Sequence, residues 1–132
     1  MEGFQFSYPV KVIFRDLDYF GHVNNATYLT YLESARIAFW EHLTKHKGLK
    51  GLNFILASAT IDYKSPAFFG EELEIGIRVS SVGNSSFKLY YEVREKKTGR
   101  LVATAETVQV MFDYEKNQKI PVPDDLRRAM GF

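Results

Sequence analysis

Residues 26–43 read ATYLTYLESARIAFWEHL, and this stretch decides the fold. Tyr28, Leu29, Leu32, Ala35, Phe39, Trp40 and Leu43 recur at helical spacing. At 1.5 Å per residue the spacing predicts a helix of roughly 27 Å running from Ala26 to about Leu43. Lys45 and Lys47 are cations of the kind a helix C-terminus favours, and Gly48 is a stop. Only Glu33, Arg36 and Glu41 are charged inside the stretch, while Tyr31, Ile37 and Ala38 add apolar surface off the main stripe. The helix is therefore expected to be covered on several sides, which requires a sheet to wrap it.

The flanking sequence supplies strands. From Phe4 to Phe14 every even position is apolar or aromatic, which predicts a strand with one buried face. Ile55, Ala57, Ala59, Ile61 and Tyr63 alternate up to Pro66; Leu73, Ile75, Ile77 and Val79 alternate next; Phe87, Leu89, Tyr91 and Val93 follow the turn residues Gly83 and Asn84. In the last run, Leu101 to Phe112, the apolar phase changes near Ala105 to Thr107, which implies either a bulge or burial on both faces. A short helix is expected between Pro121 and Met130, started by Asp124 after Pro123. One strand, a loop, one long helix and four strands in a meander make an α+β domain: a five-stranded curved antiparallel sheet around a helix. Sandwich and barrel readings fail on that helix.

The 132 residues suit one domain spanning 1–132, with no linker or repeat. A hydrophobic share of 45% and an aromatic share of 15% exclude disorder and point to aromatic surface buried against a ligand or a second copy. A net charge of +1 leaves no long-range field for nucleic acid or an anionic membrane. The basic stretches 45–50 and 96–100 read as solvated turns. No run approaches the roughly 20 apolar residues of a membrane span, and no signal-peptide pattern opens the chain, so a cytoplasmic protein is expected. The absence of Cys excludes disulfides, a Cys nucleophile and thiolate zinc sites.

Residues 15–36 read RDLDYFGHVNNATYLTYLESAR. An Asp followed three residues later by Gly, a short polar stretch, and Asn-x-x-Tyr opening a long helix are met by Asp18, Gly21, His22, Asn24, Asn25 and Tyr28. In this pattern the chain resembles the 4-hydroxybenzoyl-CoA thioesterase-like branch of the hotdog superfamily. The resemblance implies the hotdog fold and hydrolysis of an acyl thioester, usually of coenzyme A, at the interface of two subunits. Asp18 stands at the position of the catalytic carboxylate, acting as nucleophile or as base for a water. Asn25 stands where a backbone N–H at the helix start holds the thioester carbonyl, and Gly21 sits where acyl chain and backbone approach closely. His22 and Asn24 match the His-Val-Asn-Asn form of many members. Plant-type acyl-carrier-protein thioesterases place an Asn two residues after the Asp; Phe20 stands there in this chain, so a coenzyme A ester is the preferred substrate.

The chemistry is coherent without the resemblance. The leaving group of a thioester is a thiol with a pKa of roughly 8.5, able to depart as thiolate. One carboxylate and one oxyanion site then suffice, and a helix N-terminus offers unpaired N–H groups for the oxyanion. Tyr28 and Tyr63 are expected as pocket walls, and the polar groups of His22 and Asn24 as substrate contacts.

Each residue also has a plainer reading. Asp18 alone would be a loop or capping residue, and Asp16 keeps that role. His22 could equally be a hydrogen-bonded structural side chain, and Asn24 and Asn25 are good caps as well as site residues. Glu33 competes for the catalytic role, its plainer use being a pair with Arg36 or a subunit contact. His42 and His46 lack a third ligand, so no metal is expected. Ser85 and Ser86 follow Gly83 and Asn84 in a turn and not a strand-to-helix elbow. No cofactor is expected, since coenzyme A is part of the substrate. A homodimer or homotetramer is expected because the edges and aromatic face of such a sheet are open in one copy. The competing readings are a hotdog hydratase or dehydratase and a non-catalytic acyl-CoA binding protein. For the coenzyme A nucleotide, Lys64, Arg78, Lys88 and Arg94 are the candidates.

Overall fold

The computed structural model describes residues 1–46, 48–49 and 51–132. Its elements are β1 (Phe6–Lys11), a 3-10 turn (Phe14–Asp16), α1 (Thr27–His46), β2 (Phe54–Tyr63), β3 (Glu72–Val82), β4 (Ser86–Glu95), β5 (Leu101–Asp113), the two-residue β6 (Gln118–Lys119) and α2 (Asp124–Ala129). One long helix lies on the concave side of a curved antiparallel sheet of five long strands, to which β6 adds a short pairing with β5. This is the hotdog arrangement.

The strand order is β1-β3-β4-β5-β2. Only β3, β4 and β5 form the expected meander; β2 pairs with β5 at the far edge instead of with β3. The connection explains the difference. Residues 64–71 carry Pro66, Phe68, Phe69 and Gly70, too long for a hairpin turn, and Arg100 holds this loop to the β4–β5 end by binding Glu71 Oε1 at 2.8 Å and the Pro66 carbonyl at 3.1 Å. That pairing keeps the Arg100 guanidinium more firmly charged than usual, the Glu71 hydrogen bond being the main cause.

The core is built from alternate residues. Leu73, Ile75, Ile77 and Val79 of β3 and Phe87, Leu89, Tyr91 and Val93 of β4 are all buried, with Ile75, Ile77 and Val79 directly opposite Val93, Tyr91 and Leu89. From Ala103 onward the inward phase of β5 does not break: Ala103, Ala105, Thr107, Gln109 and Met111 are all buried. The apparent change of phase arises because two of these inward residues are polar, and the bulge lies earlier, at Val102. Further bulges fall at Ala57 and Ser80, and bulges of this kind bend a strand and sharpen its twist, which curves the sheet round the helix.

Helix α1 buries Tyr28, Tyr31, Leu32, Ala35, Arg36, Phe39, Leu43 and Thr44. Leu29, expected on the buried stripe, is exposed, and so are Glu33 and Ile37, so one face of α1 is uncovered in a single chain. Tyr31 is inside because its hydroxyl donates to Asp16 Oδ2 at 2.7 Å. Burial, and then this bond, hold the Tyr31 phenol far above its usual pKa. After α1, Gly48 adopts φ +70° and the Leu49 N–H reaches back to the Thr44 carbonyl at 2.6 Å, a glycine-terminated C-cap. The capping role expected of Lys47 lies outside the described residues.

Candidate active site

Between the β1 end and α1 the chain makes a tight loop. The Gly21 N–H donates to the Asp18 carbonyl at 3.1 Å and the Asp18 N–H to the His22 carbonyl at 2.9 Å. Asp at the first and Gly at the fourth position of a turn is a favoured pairing, and Gly21 sits at φ +87°, a conformation that strains any residue with a Cβ. Residues 22–24 are then clamped from both sides. The Asn24 N–H donates to the Asp16 carbonyl at 2.9 Å, and the Val23 N–H to the Ala67 carbonyl at 2.9 Å. The Asn24 side chain fixes the turn that leads into α1, its Oδ1 accepting the Ala26 N–H at 2.8 Å.

This loop and the end of β2 enclose a groove of about 490 Å³, lined by Asp18, His22, Asn25, Tyr28 and Tyr63 together with Val23 and Lys64 to Pro66. Asp18 Oδ1 accepts the Phe20 N–H at 2.8 Å. Its Oδ2 stands 3.7 Å from His22 Nδ1, beyond hydrogen-bond length, and accepts no hydrogen bond among the described residues. One carboxylate oxygen is thus fixed and the other open, and the side chain is 24% exposed. At the helix start, the Asn25 N–H donates to nothing among the described residues. The Asn25 carbonyl is engaged, accepting the Tyr63 hydroxyl at 2.8 Å. Tyr63 also meets Tyr28 edge-on, ring centroids 5.4 Å apart, closing the inner wall. Burial holds the Tyr28 phenol above its usual pKa.

Five of the seven sequence-derived site residues therefore share one groove: Asp18, Asn25, His22, Tyr28 and Tyr63. Gly21 and Asn24 do not line it; they shape the loop and the turn that hold its walls. Asp16 is structural, accepting Ile13 N–H and Tyr31 hydroxyl bonds. Glu33 is exposed on α1, does not line the groove, and makes no ion pair with Arg36, which turns inward to Tyr91. Of the four cations considered for the nucleotide, Lys64 lines the groove. Arg78 lies over the Tyr90 ring at 4.7 Å, Lys88 is 4.0 Å from Glu106 and Arg94 is 2.9 Å from Glu92. Ser65 and Pro66 escape the sequence reading; their only signal is a position just past the last alternating residue of β2. Among the described residues no three His, Asp or Glu side chains converge as a metal site would need.

A family model described as the thioesterase-like superfamily matches residues 12–130, nearly the whole chain, and the chain belongs to that superfamily of hotdog-fold thioester hydrolases. YsmA of Bacillus subtilis is 32% identical over 97% of this chain and 86% of its own length. The long-chain acyl-CoA thioesterase FadM of Escherichia coli is 27% identical, covering 92% of this chain and 93% of its own. Among solved structures, a thioesterase from Thermus thermophilus in complex with coenzyme A and Zn superposes with a TM-score of 0.86 at 33% identity, covering 98% of this chain and 94% of that one.

Proposed function

We propose that the chain hydrolyses acyl-CoA thioesters in this groove, with Asp18 as the catalytic carboxylate and the Asn25 N–H as the polariser of the thioester carbonyl. The observation that carries the reading is a pairing of opposites: an open carboxylate oxygen and an unused amide N–H line one groove. Asp18 Oδ2 either adds to the carbonyl carbon, giving a mixed anhydride that water later opens, or takes a proton from a water that adds instead. In both routes the carbonyl oxygen becomes an oxyanion beside the helix N-terminus, the C–S bond breaks, and coenzyme A leaves as thiolate. The thiolate then takes up a proton. His22, beside Asp18, and Lys64, at the groove margin, are the polar groups available to the acyl carbonyl and to the coenzyme A moiety.

Glu33→Gln tests the competing carboxylate. Because Glu33 is exposed outside the groove, thiol release from acyl-CoA esters is expected to fall by no more than about threefold, within the range of ordinary surface changes. A loss equal to that of an Asp18 variant transfers the catalytic role to the helix.

A second copy belongs to this reading. Residues Ile55 to Thr60 of edge strand β2 are all exposed, although a long apolar edge is normally paired or covered. The expected result of light scattering on the purified chain is a dimer or tetramer, and a monomer with full activity refutes the shared site. The reading also carries a cytoplasmic protein that needs no cofactor. No described helix is long and apolar enough to cross a membrane.

A further inference from the structure

Arg36 is 7% exposed, on the inner side of α1. It makes one hydrogen bond, from Nη1 to the Tyr91 hydroxyl at 3.3 Å, and no ion pair among the described residues. Tyr91 in turn shares a hydrogen bond of 2.7 Å with Thr107, and Thr107 donates to Gln109. Every fully enclosed side-chain nitrogen or oxygen among the described residues has a partner. Arg36 Nε and Nη2, which have no partner among those residues, are therefore not fully enclosed and account for part of its residual accessibility. Burying a guanidinium without an anion is strongly unfavourable, and such a group persists where something answers it.

Arg36 lies toward the side of α1 that faces β2. Helix α1 meets β2 through two aromatic pairs, Tyr28 with Tyr63 at 5.4 Å and Trp40 with Phe54 at 4.8 Å. Over its length α1 packs chiefly on β1 and β3, leaving its β2 side thinly covered. Leu56 and Ala59 pair in register with the buried Gln109 and Thr107 and so face the helix side, yet both are exposed, Leu56 by 46%. Arg36 lies on α1 between these two pairs, one turn before Trp40, on the side that the exposed Leu56 and Ala59 leave open.

We propose that Arg36, supported by Tyr91 and Thr107, is a second recognition site that takes a carboxylate at the far end of the acyl group. Resting on the thioesterase reading above, this makes ω-carboxyacyl esters of medium length the preferred substrate class. The scale is suitable: Arg36 follows Thr27, the first residue of α1, by nine residues, about 14 Å of helix, shortened because a helical side chain leans toward the N-terminus. A guanidinium with unused donors matches a carboxylate better than a hydroxyl, through paired charge-assisted bonds.

The test compares the full chain on decanoyl-CoA and on the mono-coenzyme A ester of decanedioic acid. The native kcat/KM is expected to favour the diacid ester by at least about tenfold. Arg36→Met, which keeps an apolar stem, should bring that ratio to one or below while decanoyl-CoA turnover stays within a few-fold. A native ratio of one or less overturns the proposal, as does a preference that survives Arg36→Met. Should Arg36→Met fail to fold, Tyr91→Phe with Thr107→Val carries the same comparison, and an unchanged preference there overturns it equally. If neither ester releases thiol, the hydrolase reading fails and the site is judged alone by calorimetry. Decanedioate must then bind at least about tenfold tighter than decanoate and lose that margin in Arg36→Met; equal affinities overturn the site. A native ratio of one together with an oligomer that Arg36→Met dissociates assigns the guanidinium to a carboxylate of a second copy, and the proposal falls.

Discussion

Asp18→Asn is expected to lower thiol release by roughly 100- to 10,000-fold, the range lost when a positioned acid–base group is removed. The exchange is nearly isosteric, and the environment tolerates it. Oδ1 accepts the Phe20 N–H, a bond that an amide oxygen preserves. The amide nitrogen then replaces Oδ2, which accepts no hydrogen bond among the described residues, so no internal bond is lost. Backbone bonds from Gly21 to Asp18 and from Asp18 to His22 hold the turn whichever side chain is present. The melting temperature should therefore stay within about 2 °C of the native value, since a change of 1 kcal/mol shifts a domain of this size by about 4 °C. Activity is read with a thiol-trapping reagent and stability by thermal scanning on the same preparation. Undiminished turnover removes Asp18 from the chemistry; a large loss of both activity and stability makes it a structural residue.

The readable parts of this chain are those where one physical rule acts alone. α1 is legible because a helix spanning a sheet must present an apolar stripe at its own period, and Leu32, Ala35, Phe39 and Leu43 do so. Leu29 misleads because helical spacing defines a stripe without saying how much of it the rest of the same chain covers. The placing of β2 is hidden for a different reason. Strand partners are chosen by long-range geometry, and the residue that fixes the 64–71 loop, Arg100, lies far along the chain from it. β5 imitates a change of phase because polarity in a sequence suggests exposure. Thr107 and Gln109 are inward-facing polar residues whose side chains satisfy one another, Tyr91 and the Phe87 carbonyl.

The site divides along the same line. Asp18, His22 and Asn25 are close in sequence, and the turn that joins them has a local signature, Asp-x-x-Gly, with a backbone reason for its glycine. Tyr63 is visible in the sequence only as the last residue of an alternating run, yet it meets the Asn25 carbonyl across the groove. Lys64 to Pro66 follow it there without any chemical motif to announce them. Arg36 is the opposite case: on a helix with Glu33 three residues earlier it suggests a surface ion pair, and only the fold reveals that it points to Tyr91 instead.

Asn25→Pro isolates the backbone half of the proposed machinery. Proline deletes one backbone N–H at the second position of the Asn24–Thr27 turn that leads into α1, a position where its fixed φ is favoured. Asn24 precedes it and opens the turn, its side chain on the Ala26 N–H and its carbonyl on the Thr27 N–H, and neither bond needs the Asn25 N–H. The Asn25 N–H has no acceptor among the described residues, so its removal breaks no internal bond, and the Asn25 carbonyl that receives the Tyr63 hydroxyl is retained. If that N–H stabilises the oxyanion, Asn25→Pro should cost roughly 100- to 1000-fold in kcat, the range for loss of one oxyanion donor, with KM little changed because the interaction strengthens only as charge develops. Asn25→Ala, which keeps the N–H and loses only the side chain, should stay within a few-fold of native. The contrast between the two variants carries the meaning. Equal losses in both would assign the effect to the Asn25 side chain, and an active, folded Asn25→Pro would require the carbonyl to be polarised from somewhere other than the start of α1.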